Sequence, residues 1–292
     1  MAAIVLAAGT FWPGQVSAQT VAGPPSPSRV ELWGALTLVP PAGTGTLASN
    51  YAPVVTSAPD ARGHLGQTLT LRPATGCGLE FGSNLYLSRR VGIQVFASRT
   101  SAALGGSNTP YDVALEYTSR PPPTNQPVPV QIAWTVDWPD TAGRLRQWSA
   151  GAGPAVRWQG RRTAVVLSGG FAWMRLSGDA GPLGYTTFAL GGHSTLFAQD
   201  VLVRAALAPS TTLAGYAAAA LDVGIGRHAA ITVSLRTLVA PEMELRSTID
   251  AVIDGTEGAT PTAVADIDRH MALAPARLPP SGVGILVGFK VR

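Results

Sequence analysis

Leu79-Glu80-Phe81-Gly82-Ser83-Asn84-Leu85-Tyr86-Leu87, then Ser88-Arg89-Arg90, then Val91-Gly92-Ile93-Gln94-Val95-Phe96-Ala97-Ser98 is the stretch that decides the fold. Successive side chains of an extended strand point to opposite faces. Before the turn, Leu79, Phe81, Leu85 and Leu87 share one face, and Glu80, Gly82, Asn84 and Tyr86 the other. After it, Val91, Ile93, Val95 and Ala97 oppose Gly92, Gln94, Phe96 and Ser98. Two alternating runs around a tight turn predict a β-hairpin. Its second face is made of small and polar residues with a few aromatics, too poor in charge to clothe a soluble surface.

Six more segments repeat the pattern. Val30, Leu32, Leu36 and Leu38 oppose Glu31, Trp33, Ala35 and Thr37. Trp148, Ala150, Ala152, Val156 and Trp158 form the apolar face of the fourth segment, and Val165, Leu167, Phe171 and Trp173 that of the fifth. The sixth carries Leu213, Leu221 and Val223, the seventh Ile231, Val233 and Leu235, and the last Val283, Ile285, Val287, Phe289 and Val291. The segments run about 9 to 16 residues, longer than the roughly 5 or 6 of soluble strands and enough to cross a bilayer at a tilt. Three links are tight turns: Ser88-Arg89-Arg90, Gln159-Gly160-Arg161-Arg162 and Gly226-Arg227-His228. The other four are long, at about 39–76, 100–142, 177–211 and 241–281. Short and long links alternate, so an up-and-down barrel puts every turn at one end and every loop at the other, the asymmetry of transmembrane barrels.

Composition agrees. Only 13% of the 292 residues are charged, against about 25% in ordinary soluble domains, yet no run is long and apolar enough for a membrane helix. The net charge is +4, with cations scattered and a single lysine, which speaks against nucleic acid as a partner. The lone Cys77 excludes an internal disulfide and a cysteine-based metal site, and no cofactor is expected.

These features resemble the OmpA/OmpX-type small outer-membrane barrels of bacteria: an export signal, eight amphipathic strands, alternating turns and loops, and a strand at the C-terminus. The expected organisation is a signal peptide over 1–18 ending at Val16-Ser17-Ala18, a periplasmic linker over 19–29, and an outer-membrane β-barrel domain over 30–292. The fold class is all-β: an eight-stranded antiparallel up-and-down transmembrane barrel with long external loops, the last partly helical. The resemblance implies outer-membrane lipid and the barrel assembly machinery as partners. Family members end in an aromatic residue; here Phe289 is followed by Lys290-Val291-Arg292.

Parity turns Glu31, Arg157, Asp222 and Lys290 into the lumen near the end with the tight turns, and Glu80 and Arg236 higher up. Closure would make Glu31 and Lys290 neighbours. Buried charges are tolerable only when paired, so they are expected to pair and block a lumen just wide enough for side chains. Trp148, Trp158 and Trp173 fall at strand ends on the lipid side, where aromatic girdles sit.

In the loops, Tyr111 to Thr118 and Val128 to Trp138 read as a hairpin continuing the wall. Trp134, Trp138, Tyr185 and His193 are the candidates for contact with an extracellular ligand. His193-Ser194 in Gly191-Gly192-His193-Ser194 is also the pair on which a lipid-modifying hydrolase would rest. In the fourth loop Leu245, Ile249, Val252 and Ile253 recur at helical spacing, and Thr260-Pro261 opens a second helix with Val264, Ile267 and Met271 on one face. Asp266 and Asp268 lack a calcium-loop pattern. The reading is a non-enzymatic barrel serving envelope integrity, binding or adhesion. The alternatives are a narrow transport channel and an outer-membrane lipid hydrolase.

Overall fold

The computed structural model describes residues 29–40, 43–52, 55–56, 62–109, 111–120, 123–190, 196–254, 261–280 and 282–292. The expected signal peptide, all but the last residue of the linker, and His193-Ser194 lie outside them.

Eight strands form the wall: β1 Val30–Val39, β2 Gly76–Tyr86, β3 Val91–Gly106, β4 Thr141–Gln159, β5 Thr163–Leu190, β6 Leu196–Gly224, β7 Ala229–Val239 and β8 Gly282–Val291. Each pairs antiparallel with its neighbours in chain order. β8 returns to β1, from Leu32↔Val291 to Leu38↔Ile285, and the ring closes. Closure matters because an unpaired backbone group has no water to bond in hydrocarbon.

The faces decide the solvent. Leu36 is 66% exposed, Phe171 69% and Phe289 64%, whereas Glu31 and Asp222 are fully buried. Apolar rows circle the whole outer wall, an arrangement that water would not support over so large an area. Ten residues at about 3.3 Å each, tilted by about 40°, rise roughly 25 Å, the height of the apolar band in such barrels. The chain is therefore a transmembrane barrel with the tight turns 87–90, 160–162 and 225–228 at one end.

The wall is not level. β1, β7 and β8 stop after 10 or 11 residues, while β5 and β6 run 28 and 29. Above the band the side-chain logic inverts. On β5, Leu176, Ala180 and Leu183 now fill the inside, and Arg175 faces out. Together with Leu47, Leu65, Leu69, Leu207, Leu245 and Leu278 they make a dry apolar core. The barrel thus carries an external head built as a soluble protein is, with its grease inside.

Three expectations for the long links need correction. The third link, 177–211, is not a loop: β5 and β6 continue as one hairpin from Thr163↔Val223 to Leu190↔Leu196, with register irregularities at Leu176/Gly178 and Ala180/Leu183. The first holds the strands Gly45–Tyr51 and Arg62–Pro73, paired from Gly45↔Leu71 to Tyr51↔Leu65. In the fourth, the expected first helix is the strands Met243–Leu245 and Ser247–Asp254. Met243, Leu245, Ser247 and Ile249 are all buried, a period of two. The upper part of β6 rises above its wall neighbour β7 and would leave a bare edge, and Ser247–Asp254 pairs with it over Leu202–Leu207.

The second helix is present as α1, Pro261–His270, with Arg269 and His270 in its last turn, where cations suit the helix dipole. Ile267 on the helix and Met271 just after it are buried in the head. Asp268 accepts the Ile249 backbone N–H at 2.6 Å, which ties α1 to the strand beneath it. The hairpin Tyr111–Ser119/Val128–Val136 is formed, paired from Tyr111↔Val136 to Ser119↔Val128.

Candidate functional site: the lumen and its external head

Two charged layers cross the lumen. In the lower layer, Arg157 Nη1 donates to Glu31 Oε1 at 2.7 Å and Lys290 Nζ to Asp222 Oδ2 at 2.6 Å. Lys290 also approaches Glu31 Oε2 at 3.5 Å. Arg292 closes the group, 3.2 Å from Glu31 and 3.6 Å from Asp222. Three cations thus surround two carboxylates, and the Arg157 guanidinium lies 3.8 Å from the centre of the Tyr86 ring. Such a cluster survives burial because each charge meets an opposite one, and Glu31 accepts a hydrogen bond at both of its oxygens.

Neutral amides extend this layer along the register. Asn84 is the cross-strand neighbour of both Glu31 and Gln94. Gln94 Nε2 donates to Asn84 Oδ1 at 3.1 Å, and Asn84 Nδ2 donates to Glu31 Oε2 at 3.3 Å. Ser168 Oγ donates to Gln94 Oε1 at 2.6 Å, so the chain of bonds runs from β5 to β1.

The upper layer is the Glu80–Arg236 ion pair. The Arg236 guanidinium lies 3.6 Å from the Phe96 ring centre and 5.7 Å from those of Trp33 and Tyr216. Phe96 meets Tyr216 edge to face at 5.0 Å. A cation among aromatic faces is held by their quadrupoles as well as by its carboxylate. The small inner residues now have a reason. A Cβ on Gly82 would sit 2.3 Å from Trp33 Cζ2, and one on Gly151 2.5 Å from Phe96 Cε1. Large side chains cross the lumen and rest on glycines.

A cavity of about 80 Å³ lies above this pair, lined by Thr37, Ser98, Thr100, Gln147 and a ceiling of leucines and prolines. A smaller one of about 20 Å³ lies between the layers. Arg236 borders both.

The loop candidates are placed differently. Tyr185 is buried in the head, its ring 5.2 Å from that of Tyr51. Burial, and after it the Asp266 charge, pushes its phenol above the ordinary value. Trp138 is half-buried and lies over Gly184, where a Cβ would fall 1.9 Å from Trp138 Cε2. Gln67 locks that same glycine, donating to its carbonyl at 2.6 Å and accepting its N–H at 3.1 Å. Trp134 is on Val128–Val136, paired with Val113. His193 lies outside the described residues. Among the described residues there is no cluster of three or more metal-ligating side chains, and no helix is long and apolar enough to cross a membrane.

Parity alone brings the six lumen charges to one face. It places Arg292, Asn84, Gln94, Trp33, Phe96 and Tyr216 on that face too, but does not show that they bond or clamp the charges. Asn84 and Gln94 had a usable signal, since the 87–90 turn sets them opposite each other.

No protein family matches the sequence, and no curated protein does. Among solved structures, the chain is similar to the outer membrane protein OprG from Pseudomonas aeruginosa, at 8% identity over 90% of this chain and 94% of that one, with a TM-score of 0.41. It is similar to the outer membrane protease OmpT from Escherichia coli, at 7% identity over 94% and 99%, TM-score 0.39. It is also similar to Ail, the attachment invasion locus protein of Yersinia pestis, at 8% identity over 88% and 97%, TM-score 0.29. The assignment as a transmembrane barrel rests on the closed register and on the direction of its two faces.

Proposed function

We propose that this chain is a non-enzymatic protein of the bacterial outer membrane whose lumen is sealed and whose external head supports the envelope or binds a ligand outside the cell. The observation that carries the reading is the pair of charged layers across the lumen, Glu31–Arg157–Asp222–Lys290–Arg292 below and Glu80–Arg236 above. Eight strands leave room only for side chains, and here those side chains are bonded to one another. A barrel that does not conduct places its function on the surface it raises above the membrane. The test is single-channel recording in planar bilayers: the purified protein is expected to show no steady openings, and regular conductance steps would overturn the reading.

A narrow channel is the second reading, favoured by the position of Arg236 between the two cavities. Its discriminating experiment is the same recording on Arg236→Ala. Conductance in both proteins supports the channel, and silence in both leaves the sealed barrel.

A further inference from the structure

We propose that the outer faces of β3, β4 and β5 form a binding site for the phosphorylated headgroup of an outer-leaflet lipid, held by Arg99, Arg146 and Arg175 around Trp148. Trp148 on β4 has Arg99 of β3 as its cross-strand partner on one side and Arg175 of β5 on the other. One row higher on the same face of β4 stands Arg146, and above it Arg144. All four arginines are exposed. Their intervening neighbours point the other way, for Thr100, Gln147 and Leu176 line the internal cavity.

The Arg99 guanidinium lies 4.9 Å from the Trp148 ring centre, which gives it a seat at the top of the apolar band. None of the four has a carboxylate within salt-bridge distance among the described residues. The nearest acid in register, Asp179, is opposite Arg144 at the upper edge. Arg146 has Ser101 and Ser177 as its cross-strand neighbours, so no acid is paired with it in register.

The occupant follows from position and charge. The patch begins where the lipid-facing wall ends, and the outer face directly below Trp148 is Ala150 and Ala152, both exposed. A partner must therefore present an anion above and hydrocarbon below, on one molecule, which is the chemistry of a phosphorylated lipid. Guanidinium groups bind phosphate through paired, charge-assisted hydrogen bonds. The patch is confined to one side: Leu38, Cys77, Val239 and Val283 occupy the outer face near the tops of β1, β2, β7 and β8. It is also the side where β5 rises far above the band, giving a bulky headgroup a wall to lie against.

The experiment uses the full folded barrel in detergent, its folding checked by heat-modifiable migration. Native mass spectrometry follows the binding of a diphosphorylated glycolipid (lipid A), the same lipid dephosphorylated, and inorganic phosphate. The test variant is Arg99→Gln/Arg146→Gln/Arg175→Gln. The charge control is Arg89→Gln/Arg90→Gln/Arg161→Gln/Arg162→Gln, in turns at the opposite end. Wild type and control are expected to retain the phosphorylated lipid, and the test variant to bind it about tenfold or more weakly. Dephosphorylated lipid should bind weakly and equally to all three. Equal binding by the test variant, equal loss in the control, undiminished binding of dephosphorylated lipid, or inorganic phosphate binding as tightly as the lipid would each overturn the proposal.

Discussion

Glu31 on the first strand and Lys290 on the last approach to 3.5 Å across the seam that closes the barrel, and Arg157 from the far wall bonds the same carboxylate at 2.7 Å. The seam is therefore joined twice, by the backbone ladder and by an internal charge cluster. Glu31→Gln would leave three cations facing Asp222 alone. Removing one member of a buried ionic group costs about 3–5 kcal/mol, and the loss should appear as a lower urea midpoint for the barrel in lipid vesicles. Adding Lys290→Gln restores the charge balance, so the double variant should lose less than the sum of the singles. Strict additivity would show that the two side chains do not interact.

Much of this arrangement is legible in alternation. Val283 to Val291 and Leu79 to Ser98 declare two-faced strands, and the spacing of turns sorts the ends. The external head is less legible for a physical reason. Above the membrane an outward-facing position becomes polar and an inward one apolar, so β5 changes pattern between Trp173 and Leu183 without leaving the sheet. A reader following one polarity sees the strand stop. Ser247–Asp254 misleads differently: Leu245, Ile249, Val252 and Ile253 fit helical spacing, and only the exposed edge of β6, a tertiary feature, selects the strand.

Lipid contact predicts a position-specific penalty. Leu36 is 66% exposed in the middle of β1, so Leu36→Arg should destabilise the inserted barrel by about 2–4 kcal/mol, as an arginine at the bilayer midplane does. The measurement is urea titration in vesicles with Leu36→Ala for comparison. An arginine tolerated there as well as alanine would argue for water on that face.

Gly184 predicts a lesion confined to the head. Its α-carbon is covered by the Trp138 indole, and a Cβ there meets backbone-tethered ring atoms at 1.9 Å. Gly184→Ala should displace Trp138 and weaken the head by about 1–3 kcal/mol, as overpacking does. Faster proteolysis of the external strands with unchanged heat-modifiable migration is the expected result. Loss of the barrel itself would mean that head and barrel fold as one unit.

Tyr185 predicts an alkaline weakness. Burial first, and Asp266 second, hold its phenol above 10.0 in the folded head. Folding favours the neutral form, so its contribution is complete below pH 10 and is lost as the pH rises through the elevated value. Absorbance of phenolate, followed together with proteolysis of the head, should show opening above pH 10 that Tyr185→Phe delays. An unchanged profile in the variant would remove Tyr185 from the account.

The most direct test is a spin-label scan of β8 in vesicles, one cysteine at a time from Val283 to Val291 in a Cys77→Ser background. Positions 283, 285, 287, 289 and 291 should be open to dissolved oxygen and closed to a water-soluble nickel reagent, with positions 284, 286, 288 and 290 shielded from oxygen. Oxygen access at the even positions instead, or no alternation at all, would contradict a barrel that meets lipid with its leucines and valines and keeps Lys290 within.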